Sequence, residues 1–309
     1  MKIVYMGTPQ FAVGPLQALL AAGHQVTAVV TQPDRPKGRS GKVQMSPVKE
    51  YALSCGIPVL QPVRIKTPEA VAALREYEAD VYVVAAFGQL LSQEILDIPR
   101  YGCINIHASL LPGYRGAAPI NWVILNGEKE TGVTTMQMDA GLDTGDMLEQ
   151  TRVPVLDTDT DLSLEEKLSE AGSALIVQTL KRLEAGELSP KKQGEQTSFY
   201  AKLLDKSMGR MDWADSADSL WRKVRGLYSW PGAYTFYQGK MLKIWQAVPA
   251  GQPADGPAGS VSRVGKQELV INTGDGQLSL VELQLEGKKR LLVKEFLMGC
   301  KIGKGEILG

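Results

Sequence analysis

Residues 104–116, INIHASLLPGYRG, set polar side chains at every second position, Asn105, His107 and Ser109, and then break into a loop bearing proline, glycine and Arg115. Successive side chains of a strand point to opposite faces. Asn105, His107 and Ser109 therefore share one face, and Ile104, Ile106 and Ala108 share the other. Asn105 and His107 lie about 6.6–7 Å apart along such a strand and point the same way. A carboxamide NH2 donates to an oxygen that is acquiring negative charge. An imidazole does the same when protonated, and takes a proton when neutral. The pair suits attack on a carbonyl. A carboxylate would set the charge state of the ring, and the stretch AGLDTGD with its flanks offers Asp139, Asp143 and Asp146. Spacing does not choose among the three. Against this stands the ordinary fate of a lone histidine, a core residue bonded to backbone, and of turn aspartates, which are usually solvated.

Other chemistries lack their residues. There is no GxSxG and no HExxH. The chain has 2 histidines and 3 cysteines, with no CxxC, so a catalytic zinc is not expected and no metal is assigned. Unpaired cysteines fit a reduced cytoplasmic protein. No apolar run approaches the ~20 residues that span a membrane. The first strand is followed by Gly7-Thr8-Pro9, which is not a dinucleotide fingerprint.

The elements that must carry the polar strand alternate in the first half of the chain. KIVYM, QVTAVVT, DVYVVAAF and CINIHAS read as strands, and helical segments separate them. SPVKEYALSCG and TPEAVAALREYEA each begin with a Ser or Thr cap followed by proline at the first helical position. The pattern predicts an α/β, Rossmann-like, mostly parallel sheet with helices on both faces. Ligands of such sheets bind beyond the carboxyl ends of the strands. TGVTTMQMD and DMLEQTRVPV predict an edge hairpin, and a long amphipathic helix follows, ended by Gly186. ELSPKKQGEQTS is polar and carries Pro and Gly. The division expected is 1–189, a linker over 190–205, and 206–309. After a short helix, the last part reads as short strands with Gly-rich turns, KRLLVKEFL among them. That spacing predicts a small β-barrel of the oligonucleotide-binding type.

The formal net charge is zero, but it is unevenly spread. Residues 1–190 carry 16 basic and 22 acidic side chains, and residues 191–309 carry 18 and 12. A second half with an excess of six positive charges suggests an anionic partner. Within the acidic half, the loop 34–49 is basic, with Arg35, Lys37, Arg39, Lys42 and Lys49 against Asp34 alone. Its place just past a strand favours contact with a bound polyanion over simple solvation.

NIHASLLPGYRG followed by MDAGLDTGDM resembles the folate-dependent formyltransferases. The shared signature is an Asn-x-His on a strand, Ser-Leu-Leu-Pro, an Arg-Gly and a later Leu-Asp-Thr-Gly. MGTPQFA and FGQLL are similar to the family's opening turn and folate loop. The basic insert TQPDRPKGRSGKVQMSPVK resembles that of the members acting on tRNA, and the likeness covers essentially the whole chain. It implies that Asn105, His107 and Asp143 are catalytic. It implies a folate site formed by Ser109, Leu110, Leu111 and Pro112 with Phe87, Gly88, Gln89, Leu90 and Leu91 around the pterin. Arg35, Lys37, Arg39 and Lys42 would contact tRNA. The reaction implied is formyl transfer from 10-formyltetrahydrofolate to the amino group of methionine on initiator tRNA, by a monomer without a membrane partner. Other branches of the family, acting on sugar nucleotides or hydrolysing formyl-folate, share the strand but not the basic insert. A non-catalytic RNA-binding protein would not need the Asn/His/Asp set.

Overall fold

A computed structural model describes residues 1–37, 42–194 and 199–309. By spatial proximity of its backbone the chain forms two compact units: residues 1–119, 130–154 and 165–201 make the first, and residues 120–129, 155–164 and 202–309 make the second.

The first unit contains strands β1 (Lys2–Gly7), β2 (Gln25–Val30), β3 (Arg35–Lys37), β4 (Lys42–Gln44), β5 (Val59–Leu60), β6 (Val81–Ala85), β7 (Cys103–His107), β8 (Arg115–Gly116), β9 (Glu130–Gln137), β10 (Met147–Pro154) and β11 (Tyr200–Ala201). Seven of them form one sheet in the order β10-β9-β7-β6-β1-β2-β5. From β5 to β7 all pairs are parallel; β9 and β10 are antiparallel additions at one edge. β1, β6 and β7 are buried almost throughout, as expected for strands covered on both faces. Strand order reverses between β1 and β6, so the chains leaving their carboxyl ends turn to opposite sides and leave a crevice there. The polar end of β7 is next to it.

The helices α1 (Val13–Ala21), α2 (Pro47–Ser54), α3 (Pro68–Arg75) and α4 (Gln93–Leu96) follow the strands. Ser46 and Thr67 cap α2 and α3 by accepting from Lys49 N (3.1 Å) and Ala70 N (3.3 Å). After α5 (Pro119–Asn126) comes α6 (Asp161–Ala185), which ends where Gly186 takes φ +69°, a conformation most side chains resist. α6 covers the Ile106 face of the sheet: a Cβ on Gly172 would meet Ile106 at 3.0 Å and Val133 at 3.5 Å. Asn105 and His107 are left on the opposite face.

α6 also holds a buried acid. Glu149 on β10 accepts from Thr179 Oγ1 (2.7 Å), Gln178 Nε2 (2.9 Å) and an Arg182 guanidinium nitrogen (2.6 Å). Burial pushes its carboxyl up, but the three donors together outweigh that and hold it below its ordinary 4.5. A depressed folded pKa contributes stability above the unfolded value, and that stability is lost as pH falls through the folded one. The urea midpoint of the wild type should therefore fall on acidification by more than that of Glu149→Gln. Equal acid sensitivity of the two proteins would refute the linkage.

The second unit holds α7 (Ala217–Gly226), β12 (Ala233–Tyr237), β13 (Lys240–Pro249), β14 (Val261–Val264), β15 (Leu269–Asn272), β16 (Gln277–Leu285), β17 (Leu291–Leu292) and α8 (Val293–Gly299). The sheet order is β12-β13-β16-β15-β14, with β17 against β16. Leu220 and Val224 of α7 join Leu242, Ile244, Ile271, Leu280 and Leu283 in its core. KRLLVKEFL does not continue as a strand: two residues pair and α8 begins. Val293 and Phe296 are buried while Lys294 and Glu295 between them are exposed, which is the spacing of a helical face and not of a strand. The chain end bonds to both edge strands, with Val261 N donating to Glu306 O (2.8 Å) and Gly309 N to Phe236 O (3.0 Å).

Candidate active site at the end of β7

β7 lies between parallel β6 and antiparallel β9, with Asn105 opposite Val84 and Met136, and His107 opposite Thr134. Both residues are largely buried, at 9% and 6% exposure. The Asn105 carboxamide makes no hydrogen bond among the described residues. Asn105 is not among the described residues with a fully buried, partnerless side-chain nitrogen or oxygen, so its unbonded amide keeps access to solvent at the strand end.

His107 satisfies the ordinary expectation and exceeds it. Its Nε2 lies 3.0 Å from the carbonyl oxygen of Tyr114. A carbonyl can only accept, so Nε2 must carry the hydrogen. The other nitrogen, Nδ1, faces Asp143 Oδ1 at 3.7 Å. Asp143 is thus the acid that reaches the ring. Asp139 instead shapes the turn, its Oδ1 accepting from Gly141 N (3.0 Å) and Thr144 Oγ1 (2.7 Å).

The loop that presents Asp143 is tightly specified. Asp143 has φ +53°, unusual for a residue with a side chain. Its Oδ2 accepts from Gly116 N at 2.9 Å. A Cβ on Gly145 would stand 1.8 Å from the Gln137 carbonyl oxygen, so no other residue allows the chain to pass there. Cys103, on the same strand, is buried and its thiol is pushed up to about 12, so it stays protonated and is no nucleophile.

The expected folate residues divide by accessibility. Ser109 is fully buried, and its hydroxyl donates to Gly113 O at 2.7 Å. Leu111 is buried too, its NH donating to Thr134 Oγ1 (3.1 Å), whereas Leu110 and Pro112 are partly open. Phe87 and Leu91 belong to the core, while Gly88 and Leu90 are exposed and Gln89 is half-buried. The Phe87 carbonyl accepts from Thr8 Oγ1 (3.1 Å) and Gln32 Nε2 (3.1 Å), fixing this segment at the sheet's crevice. Gln89 ties it to the neighbouring loop, accepting from Ile65 N (2.8 Å) and donating to Pro62 O (3.2 Å). A separate apolar cavity of about 490 Å³, lined by residues from Leu60 to Leu74, contains none of the expected folate residues.

Of the expected tRNA contacts, Arg39 lies outside the described residues. Arg35 is exposed on β3, and Lys37 pairs with Lys42 in the β3–β4 register. Lys49 is committed to the protein: its Nζ donates to Asp34 Oδ2 (2.6 Å) and Gln61 Oε1 (2.7 Å). Hydrogen bonds from Lys49 first, and then from Gln61, hold the Asp34 carboxyl below its usual range. In the second unit Arg290 lies 4.6 Å from the Trp245 ring centroid and pairs with Glu282. No group of three or more His, Cys, Asp or Glu among the described residues is placed to hold a metal. No helix among them is long and apolar enough to cross a membrane.

Comparison with known proteins shows the family to which the chain belongs. A family profile described as formyl transferase matches residues 1–180, and one described as formyl transferase, C-terminal domain, matches residues 203–301. The methionyl-tRNA formyltransferase of Caldanaerobacter subterraneus subsp. tengcongensis is 50% identical over 309 residues, covering 100% of both chains. That of Lachnospira eligens is 51% identical over 314 residues, again covering 100% of both. Among solved structures, the sugar 3N-formyl transferase WlaRD, crystallised with dTDP and 5-N-formyl-THF, aligns with a TM-score of 0.68 at 20% identity over 94% of this chain and 99% of that one. HypX from Aquifex aeolicus in complex with tetrahydrofolic acid aligns with a TM-score of 0.63 at 20% identity, over 96% of this chain and 47% of that one. The structural likenesses establish the fold, and the full-length sequence identity and both profiles go further: the chain belongs to the formyl transferase family.

Proposed function

We propose that the protein transfers the formyl group of 10-formyltetrahydrofolate to the free amino group of methionine carried by initiator tRNA. The observation that carries the chemistry is the unpartnered Asn105 amide beside a histidine whose Nδ1 faces Asp143. The amine nitrogen attacks the formyl carbon, and the carbonyl oxygen becomes an oxyanion. Asn105 Nδ2 donates to that oxygen, as does His107 Nδ1–H when the ring carries a proton on both nitrogens. Asp143 takes the proton that leaves the amine, through a water. The bond from the formyl carbon to the folate nitrogen then breaks, and that nitrogen receives the proton. Ser109 and Leu111 support the folate site from beneath rather than touching the ligand. Leu110, Pro112 and the stretch from Phe87 to Leu91 border it, with Gly88, Gln89 and Leu90 presenting the accessible surface.

Full-length identity to methionyl-tRNA formyltransferases supports the acceptor, and the basic hairpin supports its polyanionic character. Arg35, Lys37, Arg39 and Lys42 are assigned to tRNA phosphates. We divide the protein functionally into a catalytic domain, 1–189, and a tRNA-binding domain, 206–309, joined by 190–205, whose described residues as far as Ala201 pack with the first unit. The second domain is read as an oligonucleotide-binding-type barrel, a reading supported by the chain end bonding both edge strands of its sheet. The protein acts in the cytoplasm as a monomer.

The test is formyl transfer from 10-formyltetrahydrofolate to methionine-charged initiator tRNA, run beside an amino-sugar nucleotide. Transfer to the sugar alone would overturn the acceptor assignment. Removing charge at Arg39 and Lys42 together should raise KM for tRNA and flatten its salt dependence. On a duplex-like backbone the log–log slope should shrink by about 0.9 for each phosphate no longer neutralised. Folate binding should not change. Equal damage to folate binding would count against the hairpin's role.

A further inference from the structure

Residues 187–198 read from sequence as a polar connection, and the two family profiles leave 181–202 unmatched. The described part of that stretch is bonded into the first unit. Lys191 pairs with Met147 in both directions, at 2.9 and 2.8 Å. Two residues on, the Gln193 amide donates both of its hydrogens to the loop that presents Asp143: Nε2 lies 2.9 Å from Asp143 O and 2.7 Å from Gly145 O. Its Oε1 accepts from Arg115 Nε at 2.9 Å, and Arg115 also donates to Gly194 O at 3.2 Å. Gly116, the residue after Arg115, donates to the Asp143 carboxylate.

We infer that Gln193 is a positioning residue for formyl transfer, holding the backbone of the Asp143 loop so that the carboxylate stays opposite His107. This rests on the catalytic reading of Asn105, His107 and Asp143. The physical need is specific. Asp143 sits in the left-handed backbone region, which aspartate enters more readily than most residues but which still has to be kept in place, and Gln193 bonds the carbonyls of Asp143 and Gly145 at that bend. Two carbonyls that converge on one amide, which is itself braced by a guanidinium, supply that hold. The Asp143 carboxylate stands 3.7 Å from the ring nitrogen, already beyond hydrogen-bond length, so any further retreat breaks the relation. A misplacement of about 1 Å can cost on the order of 100-fold in rate.

The experiment compares wild type, Gln193→Ala, Gln193→Met, Asp143→Asn and the Gln193→Ala/Asp143→Asn double variant in formyl transfer to methionine-charged tRNA. Gln193→Met keeps the side-chain length and removes its donors and acceptor, and serves if the alanine variant fails to fold. The expected result is a kcat lowered about 10–100-fold with KM for 10-formyltetrahydrofolate unchanged. On the residual turnover of Asp143→Asn, the Gln193 change should add nothing, because it acts only through that carboxylate. Full turnover in both Gln193 variants, or a loss repeated in full on top of Asp143→Asn, overturns the positioning role alone. Full turnover of Asp143→Asn itself overturns the catalytic reading and this inference with it.

Discussion

Asn105→Ala should lower the turnover of formyl transfer by about 10²–10³-fold, roughly 3–4 kcal/mol of transition-state stabilisation, the usual cost of one missing oxyanion donor. The amide makes no hydrogen bond to the described protein, and although the residue is largely buried at the end of β7, beside His107, the amide keeps access to solvent. On the proposed mechanism its donor capacity is used by a group that arrives with the substrate. Only an oxygen that gains charge in the transition state uses it fully, so kcat falls while KM for the folate stays near its wild-type value. The fold should not weaken, because truncation leaves no partner orphaned. Single-turnover transfer at saturating substrates, together with a melting curve, checks both halves. Retained turnover would remove Asn105 from the reaction, and a lowered melting temperature would mean that the amide has a structural partner after all.

Asp143→Asn should give the second large loss, about 10²–10⁴-fold, the range for a removed proton-transfer group. The replacement isolates charge from geometry. An asparagine oxygen can still accept from Gly116 N, which keeps the loop closed as Oδ2 does now. The amide that replaces the other oxygen would donate toward His107 Nδ1. Nε2 already donates to the Tyr114 carbonyl, so the ring would be held neutral with its lone pair blocked. It could neither donate to the oxyanion nor pass a proton. Measuring kcat beside the binding of 10-formyltetrahydrofolate separates this from a collapsed site: binding should survive. Turnover close to wild type would show that the carboxylate serves only to hold the loop.

Where the governing physics is local, the amino-acid sequence was enough. Period-two alternation placed Asn105 and His107 on one face, and that holds because a strand's geometry repeats every two residues. Ser46 and Thr67 cap their helices as their position before proline implies, since a cap needs only the amides of the next turn. The family signature was also readable, being carried by short motifs. KRLLVKEFL misleads for a local reason too: a short apolar run fits either period, and packing against the second unit's core selects the helix.

Which partner each polar group takes was decided only in three dimensions. Asp139, Asp143 and Asp146 are equivalent in the sequence, but the turn bends so that Asp143 meets the ring while Asp139 bonds within the turn. Ser109 shares the strand's polar alternation and yet is turned inward to Gly113. Lys49 counts toward a basic loop by composition, but it is neutralised by Asp34. Gln193 carried no signal, because its meaning lies in two carbonyls about fifty positions away. Contacts between residues far apart in sequence depend on how sheet, turn and returning chain converge, and no local period encodes that convergence.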